Sequence, residues 1–329
     1  MAQRVEFVQE TSPYRGELLA HCYRMLGSVH DAEDLVQETY LRAWRAYDGF
    51  EGRSSVRTWL YRIATGACLN ALEHSSRRSL PSGLMDATYE PVVAPVAARA
   101  EVSWLQPFPD RLLGTDATDP ATIVAERGSL RLALIAALQH LPARQRAVLI
   151  LRDVLAWRAD EVAEFFGTTT AAVKSALQRA RTQLKAAAPN ERASVDLAGP
   201  DQRALLDRYA AAFENSDIAG LLHTLRDDVE FEMPPIPTWF SGRDEVVRFI
   251  GDYVLPAPGD LRLVRTSANG QPAFAIYKRE TDGRHHAHGI QVVTARADGV
   301  SRIVTFLGTG LFPDFDLPSV HPYELAVQR

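Results

Sequence analysis

Asp160 to Lys185 reads DEVAEFFGTTTAAVKSALQRARTQLK, and its spacing is that of two helices joined by a tight turn. Such a helix-turn-helix needs a small residue where the second helix crosses the first, and Ala163 is small. Four positions on, the turn needs a residue that tolerates positive φ, which Gly167 does at no steric cost. Six further on, Val173 supplies an apolar side chain to pack the second helix back on the first. Thr168 or Thr169 can cap that second helix, and Val162, Phe165 and Phe166 give the first its core face. Thr170, Lys174, Ser175, Gln178, Arg179 and Arg181 are left on or near the outer face. Lysine and arginine suit phosphates, and glutamine, serine and arginine suit base edges, so this face predicts a helix lying in a major groove.

That helix is basic within an acidic chain: 329 residues carry 41 carboxylates against 36 Lys and Arg, a net charge of −5. The balance argues against a protein that coats nucleic acid nonspecifically, while leaving room for one local basic face. The length predicts two or three domains. Cys22 and Cys68 are far apart in sequence and form no metal-ligand spacing, so they read as small buried hydrophobes in a reducing cytosol. No apolar signal-like region opens the chain and no run of 18 apolar residues occurs, so the expectation is a cytoplasmic protein with no membrane contact.

Toward the N-terminus, residues 1–80 read as helical. Leu18, Leu19, Cys22, Tyr23 and Leu26 share one helix face, Gly27-Ser28 breaks it, and Asp31 is a candidate cap for the next helix. Val36, Tyr40, Ala43 and Tyr47 line that helix, with Trp44 beside them. Ser54 or Ser55 restarts a helix with Trp59, Ile63, Ala67 and Ala71 inward. Residues 81–127 carry seven acids, three arginines and repeated prolines, the composition of a linker. One island in it, WLQPFPD from Trp104 to Asp110, gathers Trp104, Leu105 and Phe108, and predicts a segment that docks on a domain. Residues 128–188 hold the helix-turn-helix, 189–199 form a second linker, and 200–329 read as mixed helix and strand, with ADG and TDG as hairpin turns.

With these stretches in view, the chain resembles a known family. DAEDLVQETYLRAWRAYDGFEGRSSVRTWLYRIATGACLNAL is similar to region 2 of bacterial sigma-70-type factors of the extracytoplasmic-function group. LQHLPARQRAVLILRDVLAWRADEVAEFFGTTTAAVKSALQRARTQL is similar to their region 4. MPPIPTWFSGRDEVVRFI and the strands after it resemble a SnoaL-like domain of the cone-shaped nuclear-transport-factor fold, and WLQPFPD resembles a linker motif of sigma factors so extended. The implied fold is two all-α domains, a helical bundle and a helix-turn-helix, followed by an α+β cone. The implied function is an alternative sigma factor whose activity the SnoaL-like domain modulates in cis, with Trp104, Leu105 and Phe108 as the contact, not an enzyme, and with no cofactor. The implied partners are core RNA polymerase, through its β′ clamp helices and β flap, and promoter DNA at the −10 and −35 elements.

The resemblance distributes roles over residues. Asp34, Gln37, Glu38 and Arg42 lie on the polar face expected to meet the polymerase. Arg57, Tyr61, Arg62, Thr65 and Asn70 fall where the −10 strand is held, while Trp59 reads as core. Gly66 and Asn70 depart from the family's usual Asn and Asp at these positions. Thr170, Lys174, Ser175, Gln178, Arg179 and Arg181, the outer face already described, are implied to read the −35 duplex. In the C-terminal domain, Met233, Trp239, Phe240, Phe274 and Tyr277 are candidates to line a pocket for a small hydrophobic ligand. The alternative is a fused enzyme, whose base would come from Glu230, Glu232, Asp244, His286 or His288. The HHAH run at His285–His288 has no third ligand at informative spacing, so no metal is expected.

Overall fold

The computed structural model describes residues 2–73, 77–88, 102–113, 128–187, 199–255 and 257–322. These divide into two compact units. One joins residues 1–78 and 110–191, and the other joins residues 79–109 and 192–329.

The first unit is all helical. Its N-terminal part holds α1 (Ala2–Thr11), α2 (Arg15–Leu26), α3 (Val29–Ala46) and α4 (Val56–Glu73). α2 is its buried centre, with every residue from Leu18 to Leu26 inaccessible. It ends on Gly27, whose left-handed φ of 71° closes the helix as few other residues can. Ser28 then caps α3 by accepting from the Asp31 amide, so the cap lies three residues before the aspartate that the sequence suggested. Cys22 and Cys68 are both fully buried, and the Cys68 thiol is pushed up by its hydrogen bond to Cys22 and by burial.

The C-terminal part of this unit holds α5 (Leu132–Leu138), α6 (Ala143–Leu149) continued by one wide π turn (Ile150–Val154), α7 (Ala159–Phe165) and α8 (Thr170–Ala187). The turn between α7 and α8 is built as its spacing predicts: Ala163 and Val173 are buried, and Gly167 has φ 58°. Thr169 caps α8, its hydroxyl accepting from the Ala172 amide at 3.2 Å.

The two helical parts are joined by a buried arginine. Arg146 on α6 donates to the carbonyl of Met25 at the end of α2, to Gln139 Oε1 at 2.8 Å, and to the carbonyls of Gln139 (3.2 Å) and Leu141 (3.1 Å). Burial pulls its pKa down to about 10, so the guanidinium stays charged at neutral pH. A cation aimed at a helix C-terminus complements the orphan carbonyls and the negative end of the dipole there. Arg24 completes the seam by donating to Ser129 Oγ at 2.7 Å.

The second unit is a six-stranded sheet covered by helices. Its strands are β1 (Leu225–Met233), β2 (Ile236–Ser241), β3 (Leu261–Ala268), β4 (Gln271–Arg279), β5 (His285–Arg296) and β6 (Gly299–Leu307). The order is β2-β1-β6-β5-β4-β3, and β1 runs parallel to β6 while all other neighbours are antiparallel. α9 (Gly199–Glu214) packs on β3 and β5, α10 (Ile218–Thr224) packs on α9, and α11 (Arg243–Phe249) packs on β1 and β2. Two features differ from the sequence reading. Asn269 and Gly270 both take positive φ, so the strand-like stretch LRLVRTSANGQPAFAIYKRE is folded into two strands, β3 and β4, by a two-residue hairpin turn. Residues 236–241 form an edge strand despite Pro237, a position where a missing amide costs no ladder bond.

Candidate nucleic-acid interfaces and the C-terminal cavity

α8 divides cleanly. Val173, Leu177, Ala180 and Leu184 are buried, and Thr170, Lys174, Ser175, Gln178, Arg179 and Arg181 are all exposed. Arg181 is engaged by Asp153 through two bonds of 2.9 and 2.6 Å, an exposed pair that a phosphate can replace at small cost.

α4 behaves differently. Tyr61 and Thr65 are buried, so their side chains are not a surface for the −10 strand. The Thr65 hydroxyl donates to the Tyr61 carbonyl at 2.7 Å and therefore accepts from His21 Nε2 at 2.9 Å. Burial, helped by Arg24, drives the His21 pKa down to about 3, so this imidazole is neutral. The Tyr61 hydroxyl donates to Glu17, as does Arg57, whose guanidinium also lies 4.9 Å from the Tyr61 ring centre. Arg62 pairs with Glu164 of α7 at 3.1 Å. Only Asn70 of the five is simply exposed. Trp59 stacks against Phe50 with centroids 4.7 Å apart.

On α3, Asp34 and Gln37 are exposed, and Glu38 and Arg42 are half-buried and paired at 2.6 Å. The same surface bears Leu41, 58% exposed, and Trp44, 40% exposed and lying 5.3 Å from Phe7. Leu41 was not singled out by sequence. The signal was its place three residues after Glu38 on the polar face.

In the second unit, the linker segment is docked. Leu105 and Phe108 are buried, and Trp104 is half-buried. The Leu105 amide donates to the Ser79 carbonyl and the Ser79 amide to the Ser103 carbonyl, both at 3.0 Å. Phe108 and Asn269 bond reciprocally: the Phe108 amide donates to Asn269 Oδ1 at 2.9 Å, and the Asn269 amide donates to the Phe108 carbonyl at 2.8 Å. A second contact lies further back. The Trp239 indole donates to the Met85 carbonyl at 2.8 Å, the Thr88 amide donates to the Trp239 carbonyl at 2.9 Å, and the Ser82 amide donates to Glu232 at 2.9 Å.

Behind β2 lies a cavity of about 260 Å³. Met233 and Phe240 line it, as the sequence suggested, together with Phe213, Phe231, Phe249 and Ile276. Three expected lining residues do not. Trp239 faces the linker from the other side of β2, Phe274 is fixed in the core, and Tyr277 packs against Phe312 and donates to the Pro318 carbonyl. Of the candidate bases only His288 lines the cavity. Glu232 is fully buried and bonded to Arg302, Glu230 also faces Arg302 at 3.5 Å, Asp244 is exposed at the start of α11, and His286 pairs with Asp282 at 2.8 Å. Burial, the Lys278 charge and Glu280 act on His288, with the net effect of lowering its pKa.

Residues 12–78 match the family described as Sigma-70 region 2, residues 131–184 Sigma-70 region 4, and residues 206–305 the SnoaL-like domain. The ECF RNA polymerase sigma factor SigG of Mycobacterium tuberculosis is 53% identical over 319 residues, covering 96% of this chain and 85% of SigG. This chain belongs to the ECF sigma factors. It is an alternative sigma factor, with core RNA polymerase and promoter DNA as its partners. SigJ of the same organism is 31% identical over 250 residues, covering 74% of this sigma factor and 72% of SigJ. The crystal structure of SigJ superimposes with a TM-score of 0.61 and 26% identity, covering 94% of this chain and all of that one. Among the described residues, no helix is long and apolar enough to cross a membrane.

Proposed function

We propose that this sigma factor reads promoters in two parts and that its SnoaL-like unit sets its activity in cis, within the cytoplasm. α8 reads the −35 duplex with Gln178, Ser175 and Arg179 toward base edges and with Lys174 toward phosphate. Arg57, Arg62 and Asn70 hold the −10 strand, with the two arginines first leaving Glu17 and Glu164. The outer face of α3, Leu41 included, meets the clamp helices of the polymerase. The observation that carries the cis reading is the docked linker: Leu105 and Phe108 are buried in the unit that contains the SnoaL-like domain. A linker seated in this way is shorter in effect than a free tether, and so limits how residues 1–78 and 110–191 are presented. The unit works as a binder rather than a catalyst, because no carboxylate offers itself as a base at the cavity wall and His288 lacks an orienting acid among the described residues.

The test is promoter-specific transcription with purified core polymerase, comparing the full chain with a form ending at Ala188. The expected change is about fivefold or more, the low end of a working allosteric coupling. Phe108→Ala, which loosens the seat without removing the domain, shifts transcription the same way. Equal transcription by all three forms sinks the cis reading.

A further inference from the structure

The cavity behind β2 has an uneven polarity. Its inner polar groups are spent on one another: Gln291 accepts from the Tyr209 hydroxyl at 2.9 Å and donates to Thr305 Oγ1 at 3.0 Å. Its remaining wall is largely aromatic and aliphatic. On the lining there is also one cation, Lys278, exposed and with no carboxylate in ion-pair range among the described residues. His288 stands beside it, neutral at pH 7 because burial and the Lys278 charge both oppose its protonation, with Glu280 acting weakly the other way. An apolar chamber with one ammonium on its wall, beyond ion-pair distance of Glu280, selects for an apolar body that carries one negative charge. The volume of about 260 Å³ is below the range of about 300–1,000 Å³ usual for drug-sized ligands, which limits the body to one or two rings.

β2 links this chamber to the linker. Side chains alternate along a strand, so Ile236, Thr238 and Phe240 line the cavity while Trp239 points to the other face. There Trp239 holds the linker at both ends of a short stretch, by its indole to Met85 and by its carbonyl to Thr88. Within the sheet β2 has only β1 beside it, and its outer edge is held instead by the Thr88 amide on the Trp239 carbonyl, so a shift of β2 driven from the cavity is felt directly at that bond.

We propose that the cavity binds a small aromatic carboxylate, its charge held by Lys278, and that occupancy is passed through β2 to the linker at Met85–Thr88. This rests on the cis reading for its consequence, not for the binding itself.

The experiment uses the full chain and a matched pair of probes, 2-naphthoate and 2-naphthamide, which differ in charge but hardly in shape. Titration calorimetry at pH 7.5 is expected to show the acid binding about tenfold more tightly, as one charge-assisted hydrogen bond supplies. Lys278→Met, a change at an exposed position, is expected to abolish the difference while leaving the amide unaffected. Saturating naphthoate is expected to slow hydrogen exchange of the Thr88 amide. Equal affinities, no binding of either probe, or a preference that survives Lys278→Met overturns the ligand assignment. Tight naphthoate binding with unchanged Thr88 exchange overturns the route through β2. If shortening the chain alters transcription but naphthoate fails these tests, the cis reading stands and this inference falls. If naphthoate passes and shortening has no effect, the cis reading falls alone.

Discussion

α8 and α4, the two helices assigned to promoter DNA, present their polar residues in opposite ways. On α8 all six assigned side chains reach solvent, and among the described residues only Arg181 has a carboxylate partner to give up. On α4 two are buried, and two are tied to Glu17 and Glu164. On the proposed roles, the −35 face is open as it stands, whereas the −10 face is partly occupied by the rest of its own unit. Arg62 is held by the helix-turn-helix itself, so one reader masks the other. On the proposed roles, the −10 face opens as Arg57 and Arg62 exchange these carboxylates for the DNA backbone.

The sharpest way to break this contrast is at the seam that holds the two helical parts together. Arg146→Leu keeps the volume apolar but strands the carbonyls of Met25, Gln139 and Leu141 in a buried site. The expected loss in denaturant unfolding is about 3–5 kcal/mol. A change under about 1 kcal/mol shows that the seam is not a structural joint.

The next effect comes from beneath α4, through pH. His21 has a pKa of about 3 in the fold against about 6.5 in the unfolded chain, so the unfolded chain binds the extra proton between these values. Its contribution is complete above pH 6.5 and is lost as pH falls toward 3. Going from pH 7 to pH 5 is expected to cost about 2 kcal/mol through this group. His21→Gln, which cannot titrate, flattens that part of the profile. A profile identical to that of the parent protein removes His21 as the cause.

The smallest effects on stability, and the most telling for the comparison, come from the exposed residues. Glu164→Gln breaks the Arg62 pair, and Gln178→Ala trims an exposed side chain; each shifts unfolding by less than about 1 kcal/mol. In promoter binding by the holoenzyme they part. Gln178→Ala loses about 1–3 kcal/mol of discrimination at one −35 position, while Glu164→Gln binds as well as the parent or better. Equal losses from both would mean that Glu164 does not mask the −10 face.

What the sequence disclosed follows from the kind of signal each part leaves. Ala163, Gly167 and Val173 mark the helix-turn-helix because close helix crossing and positive φ are local demands that few residue types meet. α4 has apolar or small residues around much of its circumference, so its periodicity does not tell Tyr61 and Thr65 from surface positions; that is decided by His21 and Glu17, some 40 residues away. The aromatic island at Trp104 predicted docking, but Met85 and Thr88 gave no sign, because their contacts are made by backbone groups that every residue carries. β2 was hidden by Pro237 within it and by Pro234 and Pro235 just before it. Asn269-Gly270 is a hairpin signal that any residue pattern on either side leaves legible, since both positions need positive φ.

Arg146 has a consequence for how such factors can be recombined. The Met25 carbonyl needs the guanidinium, and Gly27 leaves just enough room for the Gln139 side chain, which a Cβ there would meet at 3.3 Å. The two promoter readers are therefore fitted parts rather than interchangeable ones. A chimera that joins this N-terminal bundle to a foreign helix-turn-helix carries an unplugged helix end unless the donor brings an arginine and a glutamine of its own to the same places.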